Sequence, residues 1–137
     1  MKKLAFLVPV AVLAAVVPSR SEAFGGESLG CFVNVGSPGS YTSPTCDAPS
    51  PRFSYTVPFQ VLGGSGTYSY AWNTSGLTVS SGCTSTSSSC IISARGIPAD
   101  QTLTVSVVIT QAGQQATLSA SANIAAVCSL GGLPVDC

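Results

Sequence analysis

The stretch that decides the fold is GGSGTYSYAWNTSG, residues 63–76. It opens with glycines and a serine, whose backbone freedom suits a chain reversal. Tyr68, Tyr70 and Trp72 then alternate with small residues, so the three rings share one face of a predicted strand. Trp72 is the only tryptophan. We expect it to fill the core between two sheets, because a small sandwich needs large apolar side chains.

Alternating apolar and polar residues flank this stretch on both sides. The runs 53–62, 102–110 and 116–124 each repeat with a period of two, which is typical of half-buried strands. Pro58 has no backbone N–H to donate, so we expect it at a sheet edge or a bulge. Six or seven short strands, with turns roughly every ten residues, predict an all-β fold, an antiparallel two-sheet sandwich.

Several of these segments together resemble a PKD-type immunoglobulin-like domain. They are the glycine turn 63–66, Tyr-Ala-Trp-Asn at 70–73, Gly76, the strand 104–110 and Gly113. The resemblance covers about residues 53–125 of the chain. It implies an immunoglobulin-like β-sandwich that serves bacterial extracellular proteins as a spacer, adhesion or ligand-contact module.

The chain departs from that family at two places. The turn after Trp72 is Asn73-Thr74-Ser75-Gly76 and carries no carboxylate, which argues against calcium binding there. The strands 53–62 and 102–110 contain no cysteine. An antibody-type bridge between those two strands is therefore excluded.

The N-terminal residues have the pattern of a cleaved signal peptide. Lys2 and Lys3 precede an apolar run, residues 4–17, and Ser21-Glu22-Ala23 offers small residues where a signal peptidase reads them. The apolar run is shorter than the roughly 20 residues of a membrane span. We therefore expect cleavage after Ala23 and a secreted or periplasmic protein without a membrane span in its mature chain.

The rest of the chain divides by composition. We expect an N-terminal segment with a cysteine-containing loop at 24–52, the sandwich at 53–125 and a cysteine-containing tail at 126–137, after the signal peptide at 1–23. Residues 31–35 can form a short strand. The Gly-, Ser- and Pro-rich run 36–51 is expected to form only turns, and the tail is expected to be loop.

Six cysteines follow the predicted signal peptide. An even number in an exported chain implies up to three disulfides. We favour Cys83–Cys90 first, because it closes a short Ser/Thr loop. The pairs preferred for the rest are Cys31–Cys46 and Cys128–Cys137, and bridges that tie the two chain ends together stand as the alternative. The cysteines lack the C-x2-C spacing of a metal site.

Charged side chains are sparse after residue 23; they are Arg52, Arg95, Glu27, Asp47, Asp100 and Asp136. Two bases cannot neutralise several phosphates, so nucleic acid is not expected as a partner. The G-x-S-x-G match at 26–30 lacks a base, because the chain has no histidine. The carboxylates fall in predicted loops, where solvated surface charge is the usual role. We expect no catalytic residue, no metal site and no cofactor.

The tyrosines are the candidate binding residues. Tyr68, beside the glycine turn, is the first candidate for an exposed stacking platform. Tyr41 in the long loop is the second, and Tyr70 shares the face of Tyr68. The alternative is that their hydroxyls simply reach water at the rim of the core.

Three functions follow from these observations. The first is a non-catalytic module for adhesion or recognition of a protein or glycan at the cell surface, which needs an exposed aromatic or apolar patch. The second is a self-associating subunit of a surface assembly, which needs an unpaired edge strand. The third is a small secreted hydrolase, which needs two carboxylates in one cleft.

Overall fold

The computed structural model describes residues 24–36 and 39–137, in which every regular element is a β-strand. The predicted signal peptide, with its cleavage after Ala23, lies outside the described residues. Numbered in chain order, the strands are β1 (Ser28–Cys31), β2 (Thr45–Asp47), β3 (Ser54–Leu62), β4 (Ser69–Asn73), β5 (Thr78–Gly82), β6 (Ser89–Arg95), β7 (Gln101–Gln111), β8 (Gln114–Ile124), β9 (Val127–Leu130) and β10 (Leu133–Asp136).

The strands form two four-stranded sheets and a separate hairpin. The first sheet has the order β1-β3-β6-β5 and is antiparallel, and the second has the order β2-β8-β7-β4. The pair β2–β8 is parallel, so the expectation of wholly antiparallel sheets is wrong for the second sheet. The loop after β1 carries the chain from the first sheet to the second, and β2 enters beside β8 in the same direction.

Both sheets contribute side chains to one hydrophobic core. On β7 the buried residues are Leu103, Val105, Val107 and Ile109, and hydroxyl-bearing residues mostly stand between them. Small side chains lie opposite them on β8, where Ala120 pairs with Val105 and Ala122 with Leu103. The alternation in the sequence therefore reports which face of each long strand is buried.

The three disulfides are the pairs that the sequence favoured, Cys31–Cys46, Cys83–Cys90 and Cys128–Cys137. The first joins β1 to β2 and therefore links one sheet to the other. The second closes the loop between β5 and β6. The third closes the β9–β10 hairpin.

Two segments that the sequence assigned to turns and loop contain strands. Within 36–51 the three residues of β2 pair with β8, and a strand this short shows no periodicity. Within the tail, β9 and β10 pair around Gly131 and Gly132. Both glycines have positive φ, 60° and 83°, which is the backbone of a two-residue type I′ hairpin turn.

The expectation that Pro58 lies at an edge or a bulge is wrong, because β3 lies between β1 and β6 and its register with β6 runs without a shift through Pro58. The N–H of Phe32 donates to the carbonyl of Pro58 at 3.3 Å, and proline has no N–H with which to return the bond. Strand β1 ends at Cys31, one residue before Phe32. Pairing resumes at the bridge between Asn34 and Thr56, so Pro58 interrupts the ladder instead of requiring an edge.

Substitutions of Phe59 and Phe53 test which side chains form the core. Phe59 is fully buried in β3, whereas Phe53 is 46% exposed just before it. We expect Phe59→Ala to lower the free energy of unfolding by about 3–5 kcal/mol, because it leaves a core cavity. Phe53→Ala should cost about 1 kcal/mol or less. Urea unfolding measures both, and equal losses would contradict the position of the core.

Candidate functional site

Tyr68, which directly precedes β4, and the β4 residues Tyr70 and Trp72 form a row of aromatic rings at the edge of the second sheet. Ring centroids lie 6.4 Å apart from Tyr68 to Tyr70 and again 6.4 Å from Tyr70 to Trp72. All three side chains are half-buried and pack against the core. Tyr70 and Trp72 pair with the buried residues Ile109 and Val107 of β7. The row therefore faces inward and closes the core along this edge.

The disulfide-closed loop between Cys83 and Cys90 covers the edge of β4. The indole N–H of Trp72 donates to the carbonyl of Ser87 at 3.0 Å. The backbone N–H of Tyr70 donates to the carbonyl of Ser85 at 3.0 Å. Trp72 thus packs against the core and also links a loop of the first sheet to a strand of the second through its hydrogen bond.

Tyr68 is held between the N-terminal segment and the glycine turn. Its hydroxyl donates to Glu27 Oε1 at 2.7 Å and accepts from the N–H of Ser65 at 3.2 Å. The ring of Phe24 meets the Tyr68 ring edge-on, with centroids 6.0 Å apart. The structure therefore places the first sequence candidate in a cluster of internal contacts rather than on an open face.

The contact with Tyr68 changes the acidity of Glu27. The hydrogen bond from the Tyr68 hydroxyl lowers the pKa of this carboxyl below its ordinary value, and backbone N–H groups add to the effect. A carboxyl with a depressed pKa stabilises the fold above its ordinary pKa, about 4.3, and loses that contribution as the pH falls through the lowered value.

We expect Tyr68→Phe to raise the pKa of Glu27, because the substitution removes the donor and keeps the ring. A ¹³C NMR titration of the Glu27 carboxyl in both proteins measures the difference. Equal Glu27 pKa values in the two proteins would contradict the hydrogen bond.

The second sequence candidate, Tyr41, lies against Phe32. The two rings are T-shaped, with centroids 4.9 Å apart, and burial raises the pKa of the Tyr41 hydroxyl. Tyr41 therefore supports Phe32 from one side. Sequence reasoning did not single out Phe32, although its position directly after Cys31 places it beside a disulfide.

A surface pocket of about 400 Å³ opens beside Phe32. We call it the Phe32 pocket. Its lining includes Phe32, Gly39, Ser40, Thr45, Cys46 and Asp47. Cys46 is buried and bonded to Cys31, so a disulfide lies at its base. Thr42, also in the lining, exchanges two backbone hydrogen bonds of 2.9 Å with Cys31.

Asp47 and Asp100 line a second pocket of about 380 Å³. Asp47 Oδ1 accepts from the Asn123 amide at 3.0 Å, and Asp100 Oδ1 accepts from the N–H of Ala126 at 2.8 Å. Both aspartates are exposed. Each carboxylate thus fixes a neighbouring segment. Within residues 24–36 and 39–137 no group of three or more His, Cys, Asp or Glu side chains is placed to hold a metal ion.

The tip of the β9–β10 hairpin exposes two leucines. Leu130 is 72% exposed and Leu133 is 67% exposed, and they pair directly across the hairpin. At the base, Val127 is buried in the core and its N–H donates to the carbonyl of Ile97 at 2.8 Å. The hairpin is thus anchored at one end and apolar at the other. Sequence reasoning missed it, although Leu-Gly-Gly-Leu is a turn signal between apolar residues.

Comparison of the chain with known protein families, curated proteins and solved structures gives no match. Among the described residues, no helix has the length and apolar character that crossing a membrane requires.

Proposed function

We propose that the protein is a non-catalytic contact module located outside the cytoplasm, and that it recognises a protein partner through the tip of the β9–β10 hairpin. The three disulfides are consistent with that location. Two sheets around one core support an immunoglobulin-like sandwich of the PKD type as the scaffold.

The observation that carries the proposal is the exposed leucine pair at the tip. Full burial of a leucine side chain stabilises a complex by about 1.5–3 kcal/mol. Leu130 and Leu133 stand side by side on a hairpin whose base is held by Val127 and by the Cys128–Cys137 bridge. Because the tip is already ordered, binding costs little conformational entropy.

The chemistry of the tip favours a protein over a glycan. Residues 127–135, VCSLGGLPV, carry no charge, and leucine offers neither hydrogen-bonding groups nor an aromatic face. An apolar pocket on a protein surface complements such side chains, because binding there removes their apolar surface from water.

Self-association through a strand edge has less support. The edge strand β5 is exposed along its length, but its register shifts between Val79 and Ser81, and such bulges disfavour edge pairing. At the edge of β4, the N–H of Tyr70 already bonds the loop that carries Ser85. A hydrolase also has less support. Asp47 and Asp100 line one pocket, but both are exposed, whereas a carboxyl that acts as a general acid is typically held in an apolar site.

We expect Leu130→Ser/Leu133→Ser to weaken binding to a protein partner strongly. The measurement is surface plasmon resonance of the oxidised protein against a panel of extracellular proteins and glycans. Loss of both anchors should weaken binding by about 100-fold or more, from the apolar surface that no longer becomes buried.

Two control variants accompany that measurement. Val79→Ser removes an exposed apolar side chain from β5, away from the hairpin, and should leave binding unchanged. Tyr68→Ala tests the aromatic platform as the alternative contact. A partner that binds the leucine variant as tightly as wild type, and loses affinity for Tyr68→Ala, would overturn the proposal.

A further inference from the structure

The Phe32 pocket combines an aromatic ring with polar groups. Phe32 lines it together with Ser40, Thr45 and Asp47. Its volume, about 400 Å³, falls in the range of small-molecule sites, roughly 300–1,000 Å³. It lies outside residues 53–125, the part that resembles the PKD type, and away from the hairpin tip.

The groups of the pocket are held in place by internal contacts. Tyr41 braces the Phe32 ring, and the Asn123 amide orients the Asp47 carboxylate. The Thr42 hydroxyl donates to the carbonyl of Thr45 at 2.6 Å. A Cβ at Gly39 would stand 2.7 Å from the Phe32 ring, so only glycine lets the loop approach this closely. Order of this kind before binding lowers the entropic cost of taking up a ligand.

We propose that the Phe32 pocket binds one or two units of a neutral sugar. The C–H face of a pyranose ring packs against the aromatic ring, as apolar surfaces do. The Asp47 carboxylate accepts charge-assisted hydrogen bonds from sugar hydroxyls. The Ser40 and Thr45 hydroxyls both donate and accept, which matches the mixed character of a sugar rim.

The lining disfavours other ligand classes. Among the residues that the structure describes, no Lys or Arg lines the pocket and Asp47 does, so an anion or an acidic sugar meets a negative charge without compensation. A wholly apolar ligand offers no hydrogen bond to the hydroxyls or to the carboxylate lone pairs that the Asn123 amide does not use, which costs free energy. A neutral polyhydroxylated ring with one apolar face satisfies both parts of the lining.

The test is an NMR titration of the ¹⁵N-labelled, oxidised protein with cellobiose, maltose and N,N′-diacetylchitobiose. At least one of them should shift the amide signals of residues 39–47 in a saturable way, with a Kd in the millimolar range. Asp47→Asn and Phe32→Leu should each weaken that binding by about tenfold, since each removes one of the two main contacts.

Matched variants keep the result specific. Asp100→Asn and Phe53→Leu make the same chemical changes elsewhere and should leave the affinity unchanged, as should Leu130→Ser/Leu133→Ser. Loss of sugar binding in the leucine variant would overturn the assignment to this pocket. So would the absence of any saturable shift up to about 50 mM sugar, well above a millimolar Kd, or unchanged affinity in Asp47→Asn.

A charged sugar adds a second readout that does not depend on a stable Phe32→Leu variant. Glucuronate carries a carboxylate where glucose has a hydroxymethyl group. It should bind wild type more weakly than glucose, and Asp47→Asn should reduce that difference. Equal binding of both sugars to wild type would contradict the role of the Asp47 carboxylate.

Discussion

The bridge between Cys31 and Cys46 is the constraint on which the N-terminal half of the structure depends. Both cysteines are buried, 0% and 5% exposed, and they join an edge strand of one sheet to an edge strand of the other. β2 has only three residues, so its ladder with β8 alone gives few hydrogen bonds. The bridge holds β2 in place, and the Phe32 pocket lies directly against it.

The other end of each sheet is closed without a covalent link between the sheets. There the half-buried rings of Tyr68, Tyr70 and Trp72 fill the space between the sheets. The indole N–H of Trp72 bonds the loop that the Cys83–Cys90 disulfide closes. The core is thus sealed by a disulfide on one side and by aromatic packing on the other. Leu130 and Leu133 at the hairpin tip are not part of this core, and their apolar side chains remain exposed.

The alternation of apolar and polar residues was enough to predict the long strands. It could not predict contacts between residues that are far apart in the sequence. The alternation in β7 predicted its buried face because the period of two follows from backbone geometry alone. β2 is too short to show a period, and the contact of Tyr68 with Glu27 spans 41 positions of the chain. The prediction that Tyr68 is an exposed stacking platform was made without knowledge of its contact with Glu27. Phe32 gained its place in a pocket only through the fold of the loop that carries Tyr41 and Gly39.

The most direct test of this account is hydrogen exchange in Cys31→Ala/Cys46→Ala compared with wild type. Opening a loop of about 15 residues should lower stability by about 3 kcal/mol. The account predicts that amide protection falls in β1, β2 and at Thr42, while β7 and β8 remain protected. Unchanged protection in β2, or an equal loss across every strand, would contradict the claim that this bridge organises the N-terminal edge.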